Sequence, residues 1–383
     1  MLTRIVKVDA QEPDLRLLAE PAEALRRGEL VAFPTETVYG LGGAALNAAT
    51  VARIFAVKDR PADNPLIIHL SEPSLAIDLT TGISEFEVAL MARFMPGPFT
   101  LVLPRHERVP DIVSAGQDTV AIRCPENPVA QALMRLTGIP LAAPSANRSG
   151  RPSPTVARDV AEDLDGKIPY IVDGGACQIG IESTVVIARD DYPIILRPGL
   201  VTREMLADFT AEYFGVERAE QNRECAEASQ REQSRSQAPP LSPGQKYRHY
   251  APRARLEIFT GDDSGARAKD LRARLERYLS VESPQEGVER LVGLFISSAT
   301  LEAFKGGLSG PTALSAELRP EVIVYAAEPD PSAAAHELFA ALRSFDRVGA
   351  AVIFAEGLSA GSGGEAYMNR LRRAAGGGAE EDE

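Results

Sequence analysis

The chain has 383 residues, too many for one ordinary core at about 150 residues per domain, and two domains are expected. Hydrophobic residues make up 44% and charged residues 25%, which excludes a wholly disordered or fibrous chain. With 41 Lys and Arg against 54 Asp and Glu the formal net charge is −13, so a nucleic-acid backbone is repelled at long range and any phosphate site must be local.

The opening MLTRIVKVDAQEPDLRLL is broken by charges and a proline before any apolar stretch of secretory length. No run of about 18 apolar residues follows, and no membrane segment is expected. The cysteines, Cys124, Cys177 and Cys225, show no CxxC spacing, which fits a reducing cytoplasm better than disulfides or a thiolate metal site.

Short apolar runs alternating with helical patterns predict an α/β chain. Residues 30–33 read as a strand, and FPTETVYGLGG (33–43) places Thr35, Glu36, Thr37 and Tyr39 between that strand end and a glycine cluster that reads as a turn. Asn47 is suited to cap a helix with Val51, Ile54, Phe55 and Val57 on one side; Pro61 stops it, leaving Lys58 and Arg60 at the helix exit. KDRPADNPLIIH (58–69) thus gathers two cations, Asn64 and His69 around a strand, a set that suits an anion because lysine offers a point charge and arginine a planar fork.

Further strands are predicted at 66–70, 99–103, 119–123, 141–143, 170–172, 184–188 and 194–196. Arg123 closes the strand TVAIR. In PSANRSGRPSPT (144–155), Ser145 and Asn147 are two apart, so in an extended segment their side chains point the same way. ESTVV (182–186) and LRPG (196–199) add a hydroxyl and an arginine near strand ends. Taken alone, each of these loops also reads as a plain turn or connector.

Apolar residues nearly vanish in ERAEQNRECAEASQREQSRSQAPP (217–240), which predicts a linker, with a solvated helix as the other reading. Beyond it, strands at 256–259, 291–296, 322–325 and 351–354 alternate with helices such as 266–278 and 333–343, giving a second, smaller α/β unit. The boundaries expected are a catalytic domain at 1–215, a linker at 216–254, a C-terminal domain at 255–375 and a disordered acidic tail at 376–383.

Some chemistries are disfavoured. Glu36 and Glu182 are the only carboxylates in the polar loops, and nothing pairs them as acid and base. The histidines, His69, His106, His249 and His336, show no HExxH or other metal-ligand spacing, and no serine lies in a GxSxG elbow.

Taken together and in order, PTETVYGLG, KDRP with DNPLIIH, PGPFTLVL, TVAIRCP, PSANRSGRPSPT, ESTVV and ILRPG resemble the Sua5/YrdC/YciO family of threonylcarbamoyladenylate synthases over roughly residues 15–205. SPGQKYRHYAPRA (242–254) and MNRLRRAA (368–375) look like the long, two-domain Sua5 form, although Gln245 stands where the family more often has Met. The resemblance implies a YrdC-like twisted α/β sheet around a positively charged cavity and a Rossmann-like second domain. It implies a nucleotidyltransferase that condenses L-threonine, bicarbonate or CO2, and ATP into threonylcarbamoyl-AMP and pyrophosphate. That product serves N6-threonylcarbamoylation of adenosine 37 in tRNA, with a separate transferase making the transfer.

Carried over by position, Thr35, His69, Arg123, Ser145 and Ser183 match threonine-binding residues. Arg60, Asn64, Thr119, Asn147, Thr155 and Arg197 match nucleotide-binding residues, and Lys58 completes the KxR pattern. A linker tyrosine, Tyr250 or else Tyr247, is expected over the nucleotide, with SPGQKYRHYAP acting as a lid. Lys58 and Arg60 are the expected catalytic cations, Mg2+ is expected on the ATP phosphates, and no protein metal ligands are expected. An RNA-binding module and a carbamoyltransferase of related fold are the rival readings; net charge and the lack of aromatic stacking clusters weigh against the first.

Overall fold

The computed structural model describes residues 2–234, 249–281, 290–306, 318–359 and 364–376. The chain divides into two compact units, Met1–Ser149 with Ser153–Tyr247, and Gly150–Pro152 with Arg248–Glu383.

The first unit carries strands β1 (Arg4–Lys7), β2 (Val31–Phe33), β3 (Gly40–Ala44), β4 (Ile67–His69), β5 (Phe99–Pro104), β6 (Thr119–Arg123), β7 (Leu141–Ala142), β8 (Tyr170–Asp173), β9 (Thr184–Arg189) and β10 (Tyr192–Arg197). They form one mixed sheet in the order β1-β8-β2-β3-β7-β4-β6-β5-β9-β10. Leu41, Ile54, Ile68, Leu101 and Ile122 belong to one buried cluster, while Leu25, Phe33, Leu133 and Val172 belong to another.

Two expectations are corrected here. The glycine cluster is a strand, β3, antiparallel to β2. Its glycines make room for neighbours: a Cβ on Gly42 would meet the Phe33 ring at 2.6 Å, and one on Gly43 would meet Thr50 Cγ2 at 2.7 Å. Secondly, the segment read as a linker begins as a helix, Val216–Ser234, with Ala226 buried beside Tyr192 and Ile194 of β10. Small alanines suffice for its contact, which is why so polar a stretch still docks. Residues 235–248, including Tyr247 and most of the expected lid, and the tail from 377 lie outside the described residues.

The helix Ala48–Lys58 starts as expected, with Asn47 accepting from the N–H groups of Ala49 and Thr50. It ends at Lys58, two residues before Arg60, because Asp59 turns left-handed, at φ 52°.

The second unit is a parallel sheet of β11 (Arg255–Phe259), β12 (Arg290–Ile296), β13 (Leu318–Val324) and β14 (Val352–Glu356), ordered β11-β14-β12-β13. Glu356, at the carboxyl end of β14, is fully buried beside the end of β12, where doubly wound sheets commonly take ligands. Its carboxylate accepts from Ser297 N at 2.6 Å, Thr300 Oγ1 at 2.6 Å and Tyr325 Oη at 2.8 Å, and pairs with Arg267 Nε at 2.8 Å. Burial, followed by the Glu356 charge, raises the Tyr325 phenol well above its ordinary range, so the hydroxyl stays protonated as a donor. Tyr250 also belongs to this unit. Its ring, 6% exposed, stacks on Phe339 at 5.0 Å with the Arg370 guanidinium 5.9 Å from its centroid. Tyr250 is the ring expected over the nucleotide, and within this unit it packs on Phe339 and Arg370.

Candidate functional site

Sheet register brings the polar residues into line. His69 on β4 pairs with Arg123 on β6, and Arg123 pairs with Thr100 on β5. Thr100 Oγ1 lies 2.8 Å from Ser183 Oγ, just before β9. The Arg197 guanidinium donates to the Ser183 carbonyl at 3.0 and 3.2 Å and to Ser183 Oγ at 3.2 Å. Four strands thus set one row of hydroxyl, guanidinium and imidazole groups that no local stretch of sequence contains.

The 34–39 loop closes over this row. Thr35 Oγ1 donates to the Val38 carbonyl at 2.6 Å and accepts from the N–H groups of Thr37 and Val38, a tight hydroxyl-closed turn. The loop is tied to its neighbours by Ile179 N to the Glu36 carbonyl, Tyr39 N to the Pro154 carbonyl and Ala146 N to the Tyr39 carbonyl. Cys177 N bonds the Thr155 carbonyl, which fixes Thr155 in the same cluster of turns. Ser153 Oγ donates to Glu182 Oε1 at 2.6 Å, so Glu182 has a structural partner.

Glu36 enters this row from the loop. Its Oε1 accepts from Arg123 Nη2 at 2.6 Å, and the two side chains are 1% and 5% exposed. No role was assigned to Glu36 from the sequence. The available signal was that Arg123, ending a buried strand, needs a counter-charge, and Glu36 is one of two carboxylates in the polar loops.

His69 is fully buried, and that burial, aided by the Arg123 charge, lowers its imidazole to about 3, so it is neutral near pH 7. Its Nδ1 lies 3.2 Å from the Ile67 carbonyl; the carbonyl only accepts, so Nδ1 carries the proton and Nε2 keeps a lone pair. Burial pushes the Cys124 and Cys177 thiols up, so neither supplies a ready thiolate near neutral pH.

Lys58 is 1% exposed, and its ammonium donates to the carbonyls of Ser145 and Asn147, with Asn147 Oδ1 at 3.5 Å. Ser145 Oγ donates to Asn147 Oδ1 at 2.6 Å, so these residues meet as their spacing suggested, and Lys58 clamps their backbone. Arg60 turns back to the carbonyls of Asn64 and Pro65 at 3.3 and 3.2 Å. Asn64 is buried, and its Oδ1 has no hydrogen-bond partner among the described residues.

Thr119 opens β6 at its amino end. Arg123 and His69 stand at the carboxyl end, about 13 Å away at ~3.3 Å per residue. Thr119 and Arg123 thus stand at opposite ends of β6, with His69 paired to Arg123. Among the described residues no three His, Cys, Asp or Glu side chains could hold a metal ion, and no helix is long and apolar enough to cross a membrane.

A family model for Sua5, YciO and YrdC proteins, described as "Telomere recombination", matches residues 23–199, and a second, described as "Threonylcarbamoyl-AMP synthase, C-terminal domain", matches residues 201–376. The chain is 42% identical over 362 residues to a threonylcarbamoyl-AMP synthase of Bacillus subtilis, covering 94% of this chain and 93% of that one. It is 41% identical over 352 residues to the one of Pyrococcus abyssi, covering 92% of each. The crystal structure of P. abyssi Sua5 complexed with L-threonine superposes with a TM-score of 0.78 at 38% identity, covering 98% of both chains.

Proposed function

The chain belongs to the Sua5/YrdC/YciO family in its two-domain form, and from that premise we propose how its residues share the work. The activity is synthesis of threonylcarbamoyl-AMP from L-threonine, bicarbonate or CO2, and ATP. In class this makes it a nucleotidyltransferase, since AMP is transferred to a carbamate oxygen and pyrophosphate leaves. The observation that carries the assignment is the row of His69, Arg123, Thr100 and Ser183 set by strand register, with Thr119 at the far end of β6.

The carboxyl-terminal end is assigned to threonine. Arg123 offers N–H donors to the carboxylate, and His69 Nε2 accepts from the side-chain hydroxyl, a role that only a neutral imidazole performs. Ser183, Thr35 and Ser145 complete that end. The threonine amine adds to CO2 to give a carbamate, whose oxygen then attacks the α-phosphate of ATP. Both reactants are anionic. Arg60 and Arg197 offset their repulsion and stabilise the charge that grows on the phosphate oxygens and the departing pyrophosphate.

Asn64, Thr119, Asn147 and Thr155 are assigned to the nucleotide. Lys58 serves with Arg60 as a catalytic cation and also holds the Ser145–Asn147 loop through its carbonyl contacts. Mg2+ enters with ATP, on the phosphates. We place the enzyme in the cytoplasm, where a separate transferase carries the product to tRNA.

The test is to incubate purified protein with ATP, L-threonine and bicarbonate and follow pyrophosphate release and threonylcarbamoyl-AMP by mass spectrometry. Release that requires threonine and bicarbonate together supports the reading; release without threonine rejects it.

A further inference from the structure

Glu36 and Arg123 form a buried ion pair that each uses on one side only. The contact is a single Nη2 to Oε1 bond of 2.6 Å. Glu36 Oε2 and Arg123 Nε are both buried, and neither has a hydrogen-bond partner among the described residues. A structural arginine–carboxylate pair gains most from two parallel bonds, and leaving buried charged atoms unmatched is costly. A free acceptor and a free donor left on one buried ion pair are complementary to a ligand that brings its own cation and anion on adjacent atoms.

We propose that Glu36 is the residue that reads the α-ammonium group of the substrate, its Oε2 accepting from the ammonium while Arg123 Nε donates to the α-carboxylate. The inference rests on the assignment of this end of β6 to threonine and goes beyond it by naming what selects an amino acid over a hydroxy acid. Charge balance agrees with it. Within the pair Glu36 and Arg123 cancel, and the facing His69 is neutral, so the pair's two opposite charges match the two of a zwitterion. Arg123 alone would favour any small carboxylate equally well. The backbone of Glu36 is fixed as well, because Ile179 N bonds its carbonyl at 2.8 Å, so the carboxylate is presented from an anchored turn.

Two half-ligands separate the roles. L-Threoninol keeps the ammonium and hydroxyl but lacks the carboxylate; 3-hydroxybutyrate keeps the carboxylate and hydroxyl but lacks the ammonium. Both are measured as inhibitors of threonine-dependent pyrophosphate release, in the wild type and in Glu36→Gln. The expected result is that Glu36→Gln weakens L-threoninol at least tenfold and leaves 3-hydroxybutyrate unchanged or tighter. Equal weakening of both, or unchanged L-threoninol, would overturn the proposal.

If the variant does not fold, the wild type alone decides. L-Threoninol must then outcompete butane-1,3-diol, its amine-free counterpart, at least tenfold, and equal inhibition overturns the assignment. Threonine-dependent release by the wild type is read in the same assay, so failure of the activity itself is distinguishable from failure of this role for Glu36.

Discussion

Each unit buries a carboxylate against an arginine, and the two pairs differ in how fully they are satisfied. Glu356 accepts from a backbone N–H, two hydroxyl side chains and a phenol besides pairing with Arg267. Glu36 meets Arg123 through one bond, with Oε2 and Arg123 Nε left over. The first is a closed knot at a place in a parallel sheet where ligands commonly bind, and the second is an open one. Burial of charge therefore does not mark a functional site by itself; what separates these two pairs is the bonding each leaves open.

The sharpest test of this contrast lies in the second unit. Glu356→Ala removes the acceptor common to Ser297, Thr300, Tyr325 and Arg267, and breaking such a pair costs about 3–5 kcal/mol. Denaturant unfolding should show that loss, while threonine and ATP dependence per folded molecule stays unchanged at low temperature. A changed KM for either substrate would mean that the closed knot takes part in function.

Arg60→Ala should do the reverse. Loss of a charge-assisted phosphate contact costs at least about 1.5–3 kcal/mol, roughly tenfold or more in kcat/KM for ATP, with little change in unfolding midpoint. Near-normal turnover at subsaturating ATP would remove Arg60 from the chemistry.

His69 lies between the two kinds. Its folded-state pKa of about 3 is below the ordinary value of 6.5, so the unfolded chain binds the proton first and stability falls as pH drops through that window. Between pH 7 and pH 5 this amounts to about 2 kcal/mol at ~1.4 kcal/mol per pH unit below 6.5. Urea midpoints at the two pH values should fall further for the wild type than for His69→Gln; equal falls would show that the imidazole is not held neutral by burial.

Strand-forming runs and the helix cap at Asn47 were legible because they are local patterns. β3 was not, because glycine usually signals a turn and only the Phe33 and Thr50 side chains above it explain a strand of glycines. The helix Val216–Ser234 was legible only as the second, solvated reading, because its docking needs only small alanines rather than an apolar stripe. The site residues were legible as motifs, and their resemblance to a family supplied roles. Their arrangement was not, because it depends on register: His69 faces Arg123, 54 residues further along the chain, and Glu36 reaches the same place from a loop. Nor could sequence show that Lys58, a cation at a helix exit, turns its ammonium to backbone carbonyls.

The separation of Thr119 from Arg123 along β6 makes that strand a ruler. On the proposed assignment threonine alone reaches one end and the adenosine monophosphate moiety the other, but the mixed anhydride that joins them spans both. A molecule held at both ends gains from effective concentration, since settling one end brings the other to its partners without a second encounter. The product should therefore be the tightest ligand of the three, and letting it go, rather than making it, becomes the natural brake on turnover.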